Sequence, residues 1–208
     1  MRVLWVTFAL VIADQITKLV VKTEMTLGQS IPIVGDLFRF TFTENPGMAF
    51  GLTVGSKLFL TLFSVVATFL IFVYLWHVRW APYGYRLALA LILGGALGNV
   101  IDRVFYGAAF GECTPPSPPG STRLFYGCVV DFLHLDVWSG VVPEAVPLLG
   151  GRYLALFPIG NIADVAIIAG VVLILVTQNR FHQAALERET ALAAPLAPSA
   201  GPADRPAL

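Results

Sequence analysis

Phe157-Pro158-Ile159-Gly160-Asn161-Ile162-Ala163-Asp164 opens the last long apolar run of this 208-residue chain and carries a carboxylate into it. From Val165 to Val176 no residue is charged. A carboxylate at such depth costs about 3 kcal/mol or more on insertion scales, so a chain that keeps one usually pairs it or uses it. Pro158 suits a first helical turn, where its missing N–H is no loss, and predicts a membrane helix over about 157–178. Asn161 stands three residues before Asp164, so on that helix the two side chains share a face. The plainer alternative is an interfacial aspartate that meets only headgroups. It weakens if other segments bring polar partners to the same depth.

The rest of the chain supplies both the membrane and the partners. Hydrophobic residues make up 57% and charged residues 12%, against about 25% charged in ordinary soluble domains. Mean hydropathy is +0.77. These values describe a polytopic membrane protein. Net charge is zero, which leaves no electrostatic case for nucleic acid. His77, His134 and His182 are scattered, and the two cysteines lack zinc spacing, so no metal site is expected.

Three further runs are long enough to cross a hydrocarbon core of about 30 Å: about 3–22, 58–78 and 87–106. The first could be read as a cleaved signal peptide, but it carries Asp14, Gln15 and Lys18 and no small-residue cleavage site follows, so a retained helix is expected. Asp14 and Lys18 are four apart and can pair. In the third run, Asn99 and Arg103 share a face, with Asp102 three residues from Asn99 and next to Arg103. Gly94, Gly95 and Gly98 allow close helix approach.

Between the first two spans, Phe38, Phe40 and Phe42 alternate with Arg39, Thr41 and Thr43, the period of a strand with one apolar face. Ile31–Val34 is its candidate hairpin partner, and a small surface sheet is predicted over about 30–51, ending in the turn-forming stretch that begins at Asn45. Residues 107–156 form a long insert. It opens with a Pro-rich stretch after Cys113, passes through Val129-Val130-Asp131-Phe132 and has room for a short surface helix after Leu133. The fold class is thus membrane all-α with small β: a four-transmembrane-helix bundle with a small extracytoplasmic sheet and a long extracytoplasmic loop. Residues 1–190 form one membrane-embedded unit, and 191–208 a disordered cytoplasmic tail.

With four spans both termini lie on one side. Asp14, Lys18, Asn99, Asp102, Arg103, Asn161 and Asp164 then fall in one polar layer near the opposite face, where Asn45 and Asp131 also lie. Counting Lys and Arg does not settle the orientation. The longer connections translocate largely regardless of charge, which favours cytoplasmic termini.

Two carboxylates converging near a membrane surface point to aspartic protease chemistry, in which a pair shares one proton and activates a water. Asp131 and Asp164 form the best pair, since Asp14 already has Lys18 and Asp102 has Arg103 beside it. A Ser/Lys dyad fails because Ser64 lies mid-span, far from Lys18. A small polytopic transporter or proton-conducting protein would also keep intramembrane Asp, Asn and Arg, but its polar residues should continue through the bilayer. A scaffold in which Asp and Arg only fasten helices leaves Asp131 on its loop unexplained.

The chain resembles the lipoprotein signal peptidase (signal peptidase II) family of bacterial inner-membrane aspartic endopeptidases. The resemblance rests on Asp14-Gln15-Ile16-Thr17-Lys18, Asn45-x-Gly47-x-Ala49-Phe50, Gly94-Gly95-Ala96-x-Gly98-Asn99-x-x-Asp102-Arg103, Val129-Val130-Asp131-Phe132 and Asn161-x-Ala163-Asp164, in that order. It implies a multi-pass protein whose site faces the periplasm, with Asp131 and Asp164 catalytic. Asn161 would orient the dyad, and Asp14, Lys18, Asn45, Asn99 and Arg103 would support the site or bind substrate. It implies diacylglyceryl-modified prolipoprotein substrates cut before the lipidated cysteine, no cofactor, and inhibition by globomycin. A monomer in contact with membrane lipids is expected. The sequence departs from the family in Gly160, where an aromatic residue is common, and in longer segments between Arg103 and Val129 and between Asp131 and Asn161.

One expectation is independent of the resemblance. Cys113 and Cys128 share a single loop, and if that loop is periplasmic a disulfide is favoured. It would tie down a stretch containing Pro115, Pro116, Pro118, Pro119 and Gly120 that builds no core.

Overall fold

A computed structural model describes residues 2–49, 52–53, 56–111, 113, 123–146, 150–151 and 153–193. Phe50, Arg152, the Pro-rich stretch at 114–122 and the tail at 194–208 lie outside the described residues.

Four helical segments are long and apolar enough to cross a membrane. They are α1 (Leu4–Glu24), α2 (Lys57–His77), α3 (Tyr83–Ile101) with its continuation to Phe110, and α5 (Ile162–Ala193). Their outer surfaces are apolar: Trp5, Phe63, Ile168 and Val176 are among the exposed side chains, while Asp14, Lys18 and Asp102 are fully buried. Lipid is the solvent that this inversion suits, because each helix satisfies its own backbone groups.

α3 is central and packs against α1, α2 and α5. Its glycines permit this. A Cβ on Gly94 would lie 2.6 Å from a Leu10 methyl, and one on Gly98 2.5 Å from Asp14 Oδ2. A Cβ on Gly95 would collide with the Ala163 carbonyl of α5. Thr7 donates from its hydroxyl to the Ala90 carbonyl at 2.9 Å. Small residues and interhelical hydrogen bonds are the means of association where no hydrophobic drive exists between helices.

The third span does not continue as plain α-helix to Tyr106. At Asp102 it passes into a π-helical stretch, Asp102–Tyr106, followed by a short α4 (Gly107–Phe110). Wide turns of this kind cluster at functional sites, and this one carries Asp102 and Arg103.

The surface sheet has the antiparallel order β1-β2-β5, with β1 at Ser30–Val34, β2 at Phe38–Asn45 and β5 at Val129–Leu135. The alternation around Phe40 anticipates β1 and β2. The third strand comes from the distant insert and puts Asp131 opposite Thr43. The β2–β5 register shifts by one residue between Phe40 and Thr43, and such a bulge re-aims the side chains beyond it, here those leading to Asn45. β3 (Met48–Ala49) and β4 (Leu52–Thr53) pair antiparallel as a separate two-stranded unit, which leaves the sheet expected over 30–51 at Met48 and reaches two residues beyond it.

Two expectations are corrected. No helix follows Leu133 among the described residues of the insert. β6 (Ser139–Val141) pairs instead with β7 (Tyr153–Ala155), as the β-branched and aromatic residues Val137, Trp138, Val141 and Val142 favour. The last helix begins at Ile162, not near Pro158, because Gly160 is committed elsewhere: it exchanges backbone hydrogen bonds with Leu133 of β5 at 2.7 and 3.1 Å. At its far end α5 continues beyond the span to Ala193, near the expected limit of the 1–190 unit, so residues 191–193 are helical and not part of the tail.

Candidate active site

The start of α5 explains how its carboxylate is held. Asn161 is the residue before the first helical turn. Its side-chain oxygen accepts from the Asp164 N–H at 3.0 Å, and its own N–H donates to Asp164 Oδ2 at 3.2 Å. This is a reciprocal capping box with an aspartate in the third position. The two residues are therefore linked as cap and first turn rather than as neighbours along one helical face. The N–H of Ala163, another group with no partner inside the helix, donates to Asp14 Oδ1 of α1 at 3.0 Å. The helix N-terminus thus faces two carboxylates, which its dipole favours.

Asn161 also reaches the second segment. Its Nδ2 donates to Asp131 Oδ1 at 2.7 Å and lies 3.3 Å from the Val130 carbonyl. Asp131, on β5, is 2% exposed. Asn45 adds a side-chain hydrogen bond to it. Burial, and next the nearby Asp164 charge, push the Asp131 carboxyl up to about 7, against the opposing pull of the Asn161 and Asn45 hydrogen bonds and of Lys18. Burial disfavours the charged form and a neighbouring anion does the same.

Beneath the two aspartates lies a fully buried ionic layer. Lys18 Nζ contacts Asp14 Oδ2 at 2.8 Å, Asp102 Oδ2 at 2.8 Å and Asn99 Oδ1 at 2.9 Å. All three ammonium protons therefore have an acceptor. With Oδ1 turned to Lys18, Asn99 presents Nδ2 to Asp164 Oδ1 at 2.9 Å. Asp102 takes its cation from Lys18, across the bundle, and not from its sequence neighbour Arg103. It also accepts from Gln15 Nε2 at 2.9 Å and from the Val130 N–H at 3.2 Å. This last bond anchors the strand one residue before Asp131. Arg103 stands beside the Asn45 turn: a Cβ added at Gly47 would lie 3.1 Å from its Nη1. Gly47 has φ +108° and donates its N–H to Asn45 Oδ1 at 2.9 Å, a backbone conformation that favours glycine.

The structure thus draws Asp14, Lys18, Asn45, Asn99, Arg103, Asp131, Asn161 and Asp164 into one region at one end of the bundle. Two residues outside the candidate set also join the layer: Gln15, noted in the sequence only as a polar residue of the first span and its motif, and Tyr106. Gln15 bridges Asp102, Asp14 and the Gly98 carbonyl, and Tyr106 donates to Gln15 Oε1 at 3.1 Å. A glutamine at membrane depth between Asp14 and Lys18 was the available signal.

Cys113 and Cys128 are joined by a disulfide, with Cα atoms 6.0 Å apart. Lys57, at the start of α2, donates to the Cys113 carbonyl at 2.9 Å, and Thr61 donates to the Phe125 carbonyl at 2.9 Å. The described end of the insert is thereby docked on α2. Glu44 lies close to the two sulfurs, but thiols tied in a disulfide are not metal ligands, and Glu44 pairs with Lys22.

Fold and site together define a membrane-embedded protein with two aspartates, from separate segments, held at one end of a four-helix bundle. Residues 6–180 match the family described as Signal peptidase (SPase) II. The chain belongs to the signal peptidase II family. It is 39% identical over 191 residues to the lipoprotein signal peptidase of Amoebophilus asiaticus, covering 86% of this chain and 78% of that one. With the lipoprotein signal peptidase of Porphyromonas gingivalis it shares 41% identity over 181 residues, covering 82% and 80%. Among solved structures, a bacterial membrane enzyme determined by the in meso method at 2.3 Å superposes with a TM-score of 0.58 at 25% identity, covering 94% of this chain and 93% of that one.

Proposed function

We propose that this chain is the aspartic endopeptidase that removes the signal peptide from diacylglyceryl-modified prolipoproteins, cutting before the lipidated cysteine, with Asp131 and Asp164 as its catalytic pair. The observation that carries this reading is the Asn161 link: one side-chain amide bonds Asp131 while the same residue caps the helix turn bearing Asp164. In the reaction the pair shares one proton at neutral pH, and burial favours holding it on Asp131. The partner carboxylate takes a proton from a water, whose oxygen attacks the scissile carbonyl. The protonated acid donates to the carbonyl oxygen, and on collapse of the tetrahedral intermediate the C–N bond breaks and the amine leaves with a proton from the pair. Lys18, Asn99, Asp102 and Asp14 hold the pair in place, and Arg103 and Asn45 border it. No step requires a cofactor.

The site faces the periplasm and the termini the cytoplasm, in the bacterial inner membrane, and the enzyme works as a monomer sensitive to globomycin. Residues 1–190 act as one catalytic unit. The transporter alternative fits less well, since the buried ionic groups gather at one end of the bundle. The decisive experiment is incubation of the purified protein with a lipidated preprolipoprotein, with product mass read with and without globomycin. A product beginning at the lipidated cysteine, lost on adding inhibitor, is expected. An uncut precursor would overturn the proposal.

A further inference from the structure

At the end of the bundle away from the two aspartates, the turn after α2 and the far end of α5 border an open cleft of about 370 Å³ lined by Val73, Trp76, His77, Arg79, Trp80 and Arg188. Its wall holds two guanidinium groups and an imidazole but no carboxylate. Arg79 lies over the Trp76 ring at 5.9 Å and Arg188 over the Trp80 ring at 4.7 Å. Neither arginine forms an ion pair among the described residues. Trp80 is fixed from behind: it stacks on Phe181 at 5.5 Å, and Phe181 stacks on Tyr85 at 4.1 Å. Its buried indole N–H has no hydrogen-bond partner in the structure.

The depth of this cleft identifies its surroundings. α2 has 21 residues, about 31 Å at 1.5 Å each, which matches the hydrocarbon thickness. Lys57 begins it on the aspartate side, so His77 and Arg79 emerge in the opposite headgroup layer, where tryptophan and arginine gather. α5, with 32 residues, extends about 48 Å. Its surplus length is what sets Arg188 beside Trp80.

The floor of the cleft distinguishes a lipid from a soluble anion. Val73 and Trp76 also line an adjoining groove with Phe72. Phe72 in turn lines a third, with Val65, Phe69, Leu93, Leu97 and Val100. These grooves are almost wholly apolar and run along α2 towards the membrane centre. A free phosphate would use the arginines and leave this track without a role, whereas a phospholipid uses both.

We infer that this is a binding site for an anionic phospholipid in the leaflet opposite the aspartates. Its phosphate lies between Arg79 and Arg188, and an acyl chain runs past Val73 and Phe72 towards Phe69. Basic pockets between membrane helices bind such headgroups by this chemistry.

The test is native mass spectrometry of the full chain released from nanodiscs made of equal parts phosphatidylglycerol and phosphatidylcholine. The wild-type protein should retain phosphatidylglycerol in preference. Arg79→Gln/Arg188→Gln should lower that preference by about twenty-five-fold, each arginine contributing roughly a factor of five. Arg79→Lys/Arg188→Lys, which keeps both charges, should retain most of it. An unchanged preference in the glutamine variant, or an equal loss in the lysine variant, overturns the proposal. So does inorganic phosphate binding in detergent that the glutamine variant abolishes while lipid preference persists.

Discussion

Asn161 donates its side-chain amide to Asp131 Oδ1 at 2.7 Å, so a residue that starts a membrane helix also positions a carboxylate on a surface strand. The same residue makes the capping box with Asp164. Helix start and strand are thereby one mechanical unit. Asn161→Ala should leave the four spans inserted but cost about 1 kcal/mol from the lost cap and lower the cleavage rate far more than stability. Thermal unfolding and rate measured on the same preparation check this; proportionate losses in both would contradict it.

The raised Asp131 carboxyl, at about 7, has a signed consequence. Its ordinary value is 3.8, so between about pH 4 and 7 the folded state binds more protons than the unfolded one. Stability from this group is then present at low pH and lost as pH rises through about 7. Asp131→Asn should flatten that decline, so that its stability relative to wild type improves from pH 5 to pH 8. Cleavage should fall on the alkaline side with an apparent pKa near 7 that belongs to the pair. A rate that stays level to pH 9 would contradict this assignment.

Lys18 is fully buried between Asp14 and Asp102. Removing one partner of a buried ion pair costs about 3–5 kcal/mol. Lys18→Met should lower the unfolding midpoint strongly and, by releasing Asn99, reduce cleavage in whatever folded protein remains. An unchanged midpoint would show that the layer is not ionic.

Much of this layer was legible in the sequence because charges inside apolar runs stand out. Asp14–Lys18 follows from helical spacing alone. The partner of Asp102 was not legible: Arg103 is adjacent in the chain, but the bundle brings Lys18 closer, and the Asp102 bonds to Gln15 and to the Val130 N–H cross between elements far apart in sequence. The first helical turn at Ile162 was missed for a similar reason. Gly160 pairs with β5, a tertiary contact that overrides the local preference of Pro158 for a helix start. β5 itself lies about ninety residues from β2 in the chain, and pairing over that distance leaves no local pattern.

Gly98 faces Asp14, and an added Cβ would lie 2.5 Å from its Oδ2 and 3.3 Å from the Ala163 Cβ. Gly98→Ala should therefore push the ionic layer and α5 apart, costing about 1–3 kcal/mol as overpacking and slowing cleavage. Wild-type stability and rate would mean that the helices have slack there.

The Cys113–Cys128 bridge closes a loop with a sequence separation of 15, worth about 3 kcal/mol in the chain-entropy model. Cys113→Ser should slow cleavage without removing it, since no step uses the sulfur. Thiol labelling of unreduced protein from its own envelope should find no free cysteine; two labelled thiols would exclude the bridge.

The most direct measurement is cleavage of a lipidated preprolipoprotein by wild type, Asp131→Asn and Asp164→Asn in the same detergent, with folding of each verified by its unfolding midpoint. Each variant should be folded and slower by about a hundredfold or more, the usual scale for losing an acid–base group. Turnover near the wild-type rate by either variant would contradict the paired-aspartate account.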